Sequence, residues 1–151
     1  MLPQFSTPAF GDPRLPARFW AKVRVLENGC WQWTAAHSKG YGQFQVGSHN
    51  NPRMAPAHRW AYELLVGPIP EGLEPDHLCH NGADCSGGPI CSHRACVNPR
   101  HIEPVTRREN LRRGYHAERR KTHCPQGHAY DVVNTYRWRG RSRQCRACRR
   151  R

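Results

Sequence analysis

Apolar and polar residues alternate through Trp31-Gln32-Trp33 and again through Phe44-Gln45-Val46, with Gly40 and Gly42 lying between them. A period of two places every second side chain on one face of a pleated strand, so the pattern predicts two strands joined by small-residue turns. The period then changes. Ala57, Trp60, Ala61, Leu64 and Leu65 fall at i, i+3, i+4, i+7 and i+8, which is one face of a helix, and Gly67-Pro68 stops it. The expected unit is a β-hairpin with a short helix packed on it. His58 and Arg59 are then either the solvated side of that helix or contacts to phosphate.

Residues 1–17 contain Pro3, Pro8, Pro13 and Pro16 without apolar periodicity and read as a flexible N-terminal arm, with order expected from Arg18-Phe19-Trp20. From Pro68 to Pro104 the text is loop-like and rich in Cys, His, Gly and Pro. An irregular stretch of that length is functional, or is pinned by something other than a core. Thr106-Arg107-Arg108-Glu109 has the form of a capping box, predicting a helix through Asn110-Leu111 to about Gly114 or on to Arg120. The expected domains are therefore the arm at 1–17, a main domain at 18–120 and a C-terminal element at 121–151.

Composition sharpens this outline. Only 37% of the 151 residues are hydrophobic, so the core is modest and needs reinforcement. Met1 to Pro16 lacks a basic-then-apolar leader, and no stretch approaches the roughly 20 apolar residues of a membrane span. The expectation is a soluble cytoplasmic protein with no membrane partner. In a reducing compartment its eight cysteines and ten histidines favour metal sites over disulfides. Lys and Arg number 24 against 11 acids, a formal charge of +13 that points to a polyanion, nucleic acid above all. A basic solubility tail is the plainer alternative.

The tail cluster is Cys124-x3-His128 followed by Cys145-x2-Cys148. Two close pairs separated by a hairpin-sized stretch suit tetrahedral zinc with three thiolates and one imidazole, a knuckle whose binding energy folds it. Between residues 79 and 101 stand Cys79, His80, Cys85, Cys91, His93, Cys96 and His101, too many ligands for one zinc. Cys79, Cys85, Cys91 and Cys96 would make an all-thiolate site; His93 could replace one of them, and Cys30 could reach in from the first hairpin. The expected total is two structural zinc ions.

Asp76-His77 stands just before this loop, and Asn110 falls in the first turn of the capped helix. A carboxylate and an amide oxygen are hard ligands suited to Mg²⁺ or a similar cation. A neighbouring imidazole can take a proton from water for attack on phosphorus. The blander reading makes Asp76 a turn cap and His77 a zinc ligand.

Asp76-His77-Leu78-Cys79, then Cys96-Val97-Asn98-Pro99-Arg100-His101-Ile102-Glu103-Pro104-Val105-Thr106 and Glu109-Asn110, resembles the HNH endonuclease family, in particular its zinc-containing, phage-type members related to homing endonucleases. Gly29-Cys30-Trp31-Gln32-Trp33, Gly40-Tyr41-Gly42, Ala57-His58-Arg59 and Gly67-Pro68-Ile69-Pro70 extend the likeness over roughly residues 18 to 114. The resemblance implies an α+β fold: a small zinc-stabilised ββα-metal nuclease domain preceded by a β-hairpin and helix, with a C-terminal zinc knuckle. It implies a phosphodiester hydrolase acting on DNA, with catalytic Mg²⁺ or Mn²⁺ held by Asp76 and Asn110, and His77 as general base. His101 takes the middle family position that braces the base, although Asn98 competes for it. The order is then His-His-Asn. Arg107, Arg108, Arg112 and Arg113 around that helix, and Arg139, Arg141 and Arg143 in the tail, are the candidate DNA contacts. One such site per chain suits nicking by a monomer or double cutting by a homodimer. A zinc-dependent DNA-binding regulator or a packaging accessory, both without activity, are the alternatives.

Overall fold

The computed structural model describes residues 7–81, 83, 85, 87–88, 90–114, 121–139 and 142–149. The chain divides into two compact units, Met1–Tyr115 and His116–Arg151.

In the first unit a one-turn helix α1 (Ala17–Trp20) leads into β1 (Val23–Val25), which pairs antiparallel with β2 (Trp31–Trp33). Strand β4 (Tyr41–Ser48) is central to a second sheet, between β3 (His37–Ser38) and β5 (Asn51–Pro56). The expected hairpin of Trp31–Trp33 with Phe44–Val46 is thus corrected. Each strand has the alternation expected of it, but the reversal at Leu26–Gly29 returns β2 onto β1, with Gly29 at φ 79°. The Trp33 and Phe44 rings still meet, 5.8 Å apart across the core rather than across a ladder. Gly42 permits this contact, because a Cβ there would stand 2.6 Å from the Trp33 ring.

Helix α2 (Ala57–Leu65) buries Ala57, Ala61 and Leu65 completely against that cluster, while Leu64 stays exposed. Phe19 joins Trp33 and Phe44 at 5.0 and 5.1 Å, tilted and edge contacts respectively, which suit aromatic quadrupoles. The described part of the N-terminal arm is not loose. Leu15 is buried in the same cluster, Phe10 lies against Trp20, and Arg14 bonds the Leu65 carbonyl that closes α2. Isolated apolar residues in Pro-rich text carry no period, which is why they read as an arm.

Two further strands emerge from the stretch that reads as loop. β6 (Leu73–His77) pairs antiparallel with β7 (Ile102–Thr106), and α4 (Arg107–Arg113) follows directly. Pro75 and Pro104 hide these strands in the sequence; they are tolerated because they face one another in the register. Thr106 caps α4, its Oγ1 accepting from Glu109 N–H. Only half of the capping box forms, since the Glu109 carboxylate turns to Arg112 and Arg113 instead. Between the strands lie a one-turn helix α3 (Leu78–Asn81) and two 3-10 turns, Ser92–Ala95 and Pro99–His101. Val97 enters the aromatic core there, its N–H donating to the Trp31 carbonyl.

The second unit is a hairpin of β8 (Thr135–Trp138) and β9 (Ser142–Cys145) followed by one helical turn, α5 (Arg146–Arg149). No helix among the described residues is long and apolar enough to cross a membrane.

Candidate active site and metal centres

Alternation along β6 sends Glu74 and Asp76 to one face and His77 to the other. The acidic face meets α4. Asp76 pairs across the ribbon with Glu103, and Arg113 Nη1 reaches both carboxylates while its Nε bonds Glu109. One turn earlier on the same side of α4, Asn110 donates to Glu74 Oε2 at 3.2 Å. Asp76 is buried, and its Oδ2 also accepts from Asn81 Nδ2 at 2.6 Å. Asn81 Oδ1 is buried without a hydrogen-bond partner.

His77 points inward. Its Nε2 lies 3.0 Å from the carbonyl oxygen of Cys96. A carbonyl only accepts, so Nε2 carries the proton and Nδ1 is the basic nitrogen of the neutral ring. Burial pushes the pKa of His77 below the ordinary imidazole value. Its ring lies 4.9 Å from that of His58, which is 5.3 Å from Tyr41. His58 is buried as well, with Nδ1 lacking a hydrogen-bond partner, and burial beside His77 and Arg59 takes its pKa down to about 3. The expectation that His58 lies on the solvated side of the helix is thus corrected: it is buried. Tyr41, His58, Arg59, Glu74 and Asn110 line one cleft with Lys39 at its rim.

Three groups of Cys and His side chains gather their ligand atoms within 4.8 Å. The first is Cys30, Cys79, Cys96 and His101. His101 Nδ1 lies 3.5 Å from Cys30 Sγ and 3.6 Å from Cys96 Sγ. Tetrahedral zinc with its usual bond lengths gives S···N edges of about 3.5 Å, so the spacing fits. With protons alone these thiols divide unequally: Cys79 donates to Cys96 and draws it down to about 5, while burial pushes Cys30 up to about 11. A dication would let all three ionise.

The all-thiolate set of Cys79, Cys85, Cys91 and Cys96 is therefore not what the fold assembles. Cys85 and Cys91 fall in a second group with His80 and His93, and the described residues hold three groups where two zinc sites were expected. His101, expected as the brace, belongs to the first group. Asn98 Nδ2 donates to the Gly29 carbonyl and its Oδ1 accepts from Arg100 N–H, capping the turn Pro99–His101. The third group is Cys124, His128, Cys145 and Cys148, with Cys124 Sγ 3.5 Å from His128 Nδ1 and 3.7 Å from Cys148 Sγ. These clusters can hold zinc, being soft thiolate and imidazole sets at tetrahedral separations.

Among the expected DNA contacts, Arg113 is committed to three carboxylates, Arg112 is bidentate on Glu109, and Arg107 reaches Glu74 at 3.3 Å. Arg108 is exposed on the same helix. In the tail, Arg139 is exposed beside the Trp138 ring, and Arg143 lies over Tyr130 at 4.0 Å with Nη2 on the Lys121 carbonyl. Arg141 falls outside the described residues. Sequence reasoning passes over Glu74 and Asn81, which carry no motif of their own; period-two spacing from Asp76 is the available signal for Glu74.

Two phage proteins are similar to this chain. The uncharacterized gene 5.3 protein of Enterobacteria phage T3 is 31% identical over 74 residues, 48% of this chain and 61% of that protein. Protein 7.7 of Escherichia phage T7 is 32% identical over 82 residues, 54% of this chain and 51% of that protein. The chain thus spans between half and two thirds of the length of these relatives. No solved structure matches it significantly. The stretch running through α2, β6 and α3, from residue 55 to residue 86 and with Asp76-His77 inside it, matches the HNH endonuclease family.

Proposed function

We propose that the chain is a metal-dependent DNA endonuclease of the ββα-metal type, built on β6, β7 and α4. The observation that carries this reading is the fixed tautomer of His77: with Nε2–H held by the Cys96 carbonyl, Nδ1 is a buried, unprotonated base on the strand that also carries Asp76.

Asp76 and Asn110 are the residues to hold a Mg²⁺ or Mn²⁺ ion. The donor chemistry fits, because both side chains offer hard oxygens, and their hydrogen bonds to Asn81, Arg113 and Glu74 run through Asp76 Oδ2 and Asn110 Nδ2. When bound, the ion supplies charge stabilisation at the departing 3′ oxygen. His77 Nδ1 takes a proton from water, whose oxygen forms the new bond to phosphorus in line with the 3′ oxygen that leaves. The 3′ oxygen takes a proton from solvent as it leaves, so the products are a 5′-phosphate and a 3′-hydroxyl. As the imidazole becomes charged, the Cys96 carbonyl accepts a stronger bond from Nε2–H. Arg108, with Lys39 and Arg59 at the cleft, and, in the separate tail unit, Arg139 and Arg143 would supply contacts to backbone phosphates, which orient DNA without reading its sequence.

The deciding experiment is cleavage of supercoiled plasmid in Mg²⁺ or Mn²⁺ by wild type and by His77→Ala, with zinc content measured in both. Cleavage lost on substitution, with zinc retained, establishes the base; the ratio of open circle to linear product reports nicking against double cutting. Arg113 on Asp76 is the observation favouring a binding module without chemistry. Zinc-loaded wild type that binds plasmids and cuts none, whatever the divalent cation or sequence supplied, would make that the function.

A further inference from the structure

The second group of ligands serves neither the acidic face nor the His77 pocket. We infer that His80, Cys85, Cys91 and His93 hold a zinc ion of their own, a two-thiolate, two-imidazole centre distinct from that of Cys30, Cys79, Cys96 and His101. The inference stands whether or not the chain cleaves DNA.

Three edges of the group are 3.4 Å between Cys85 and Cys91 Sγ, 3.4 Å from Cys91 Sγ to His80 Nδ1, and 3.6 Å from Cys91 Sγ to His93 Nδ1. Zinc with sulfur at about 2.3 Å and nitrogen at about 2.0–2.1 Å has tetrahedral edges of about 3.8 Å for S···S and about 3.5 Å for S···N. The ligand atoms therefore already lie close to the corners of such a polyhedron. Apolar packing does not account for their approach: Ile90, the large apolar side chain of this loop, is 93% exposed. Gly87 and Gly88 adopt positive φ, letting the backbone reverse tightly between Cys85 and Cys91.

Charge favours this partition as well. Two thiolates and two neutral imidazoles cancel a dication, so the centre adds no net charge near Asp76, whereas four thiolates would leave two negative charges. α3 is then gripped from both sides, because Cys79 belongs to one centre and His80 to the other.

Zinc counted by mass spectrometry on the full chain tests this. Wild type should carry three ions, one per ligand group, and Cys85→Ser/Cys91→Ser should carry two with its thermal transition retained. In Co²⁺-substituted protein, the absorption missing from that variant should be of the two-thiolate, two-imidazole type. A variant that still holds as many ions as wild type overturns the proposal, and so does a missing spectrum of three-thiolate type. If the variant does not fold, the wild-type count decides: three ions support the centre and two exclude it.

Discussion

The imidazole of His77 is held by the main-chain carbonyl of Cys96, whose own thiol belongs to the cluster of Cys30, Cys79 and His101. The proposed base is therefore oriented by a residue that metal would hold in place. His77→Ala should lower plasmid cleavage by roughly 10²–10⁴-fold, the usual scale of a lost general base, with zinc content unchanged. Cys96→Ser should lower cleavage and zinc content together. A Cys96 variant that loses zinc but cuts normally would break the coupling.

Acid should act on stability through the buried imidazoles. Above the unfolded value of 6.5, His58 is neutral in both states and nothing is gained or lost. Below it the unfolded chain takes up a proton that the folded site refuses until about pH 3, so stability falls as pH drops through that window. Melting curves from pH 8 to 4 should show a shallower acid loss in His58→Phe than in wild type. The same burial at His77 should move the acid limb of kcat/KM below 6.5.

Arg113 competes with any cation for Asp76. Arg113→Ala should lower the Mg²⁺ concentration needed for half-maximal cleavage. It should also lower the unfolding free energy, because the carboxylates of Asp76, Glu103 and Glu109 lose their shared partner. An unchanged metal titration would remove Asp76 from the cation site.

The tail unit can be separated from the chemistry. Cys145→Ser/Cys148→Ser should weaken DNA binding while the core keeps its zinc. The salt dependence of binding should flatten too, by roughly 0.9 in slope for each phosphate the tail ceases to neutralise. Binding isotherms at several salt concentrations read this directly. A slope equal to that of wild type would remove the tail from the interface.

Gly42→Ala should destabilise the first unit by about 1–3 kcal/mol, since the new methyl meets the Trp33 ring at 2.6 Å in a packed core. Denaturant unfolding measures it. A neutral result would mean that Trp33 yields easily.

Much of the site is legible before the fold is known. The face of α2 and the Thr106 cap follow from local spacing, because helical period and capping chemistry are local physics. Strands β6 and β7 are not, since Pro75 and Pro104 erase the alternation that would announce them. Nor is the sorting of seven crowded ligands. Cys79 and His80 are adjacent in sequence yet enter different groups, because successive side chains on one helical turn point about 100° apart. Cys30 joins from a hairpin 49 residues before Cys79, a pairing that only the tertiary path creates.

The bond from Val97 N–H to the Trp31 carbonyl, beside the bridge of Gln32 with Cys96, carries a consequence for synthesis. The aromatic cluster is built mainly from residues up to Leu65, yet Ala95 and Val97 complete it, and the ligand set begun by Cys30 ends at His101. A chain emerging from the ribosome thus exposes tryptophans and an unsatisfied thiol until His101 is out. Strand β6 finds its partner only in the residues that follow, Ile102–Thr106. A truncated product lacking residues 95–106 would have neither a sealed core nor a paired β6, and its apolar surface would stay open to other chains.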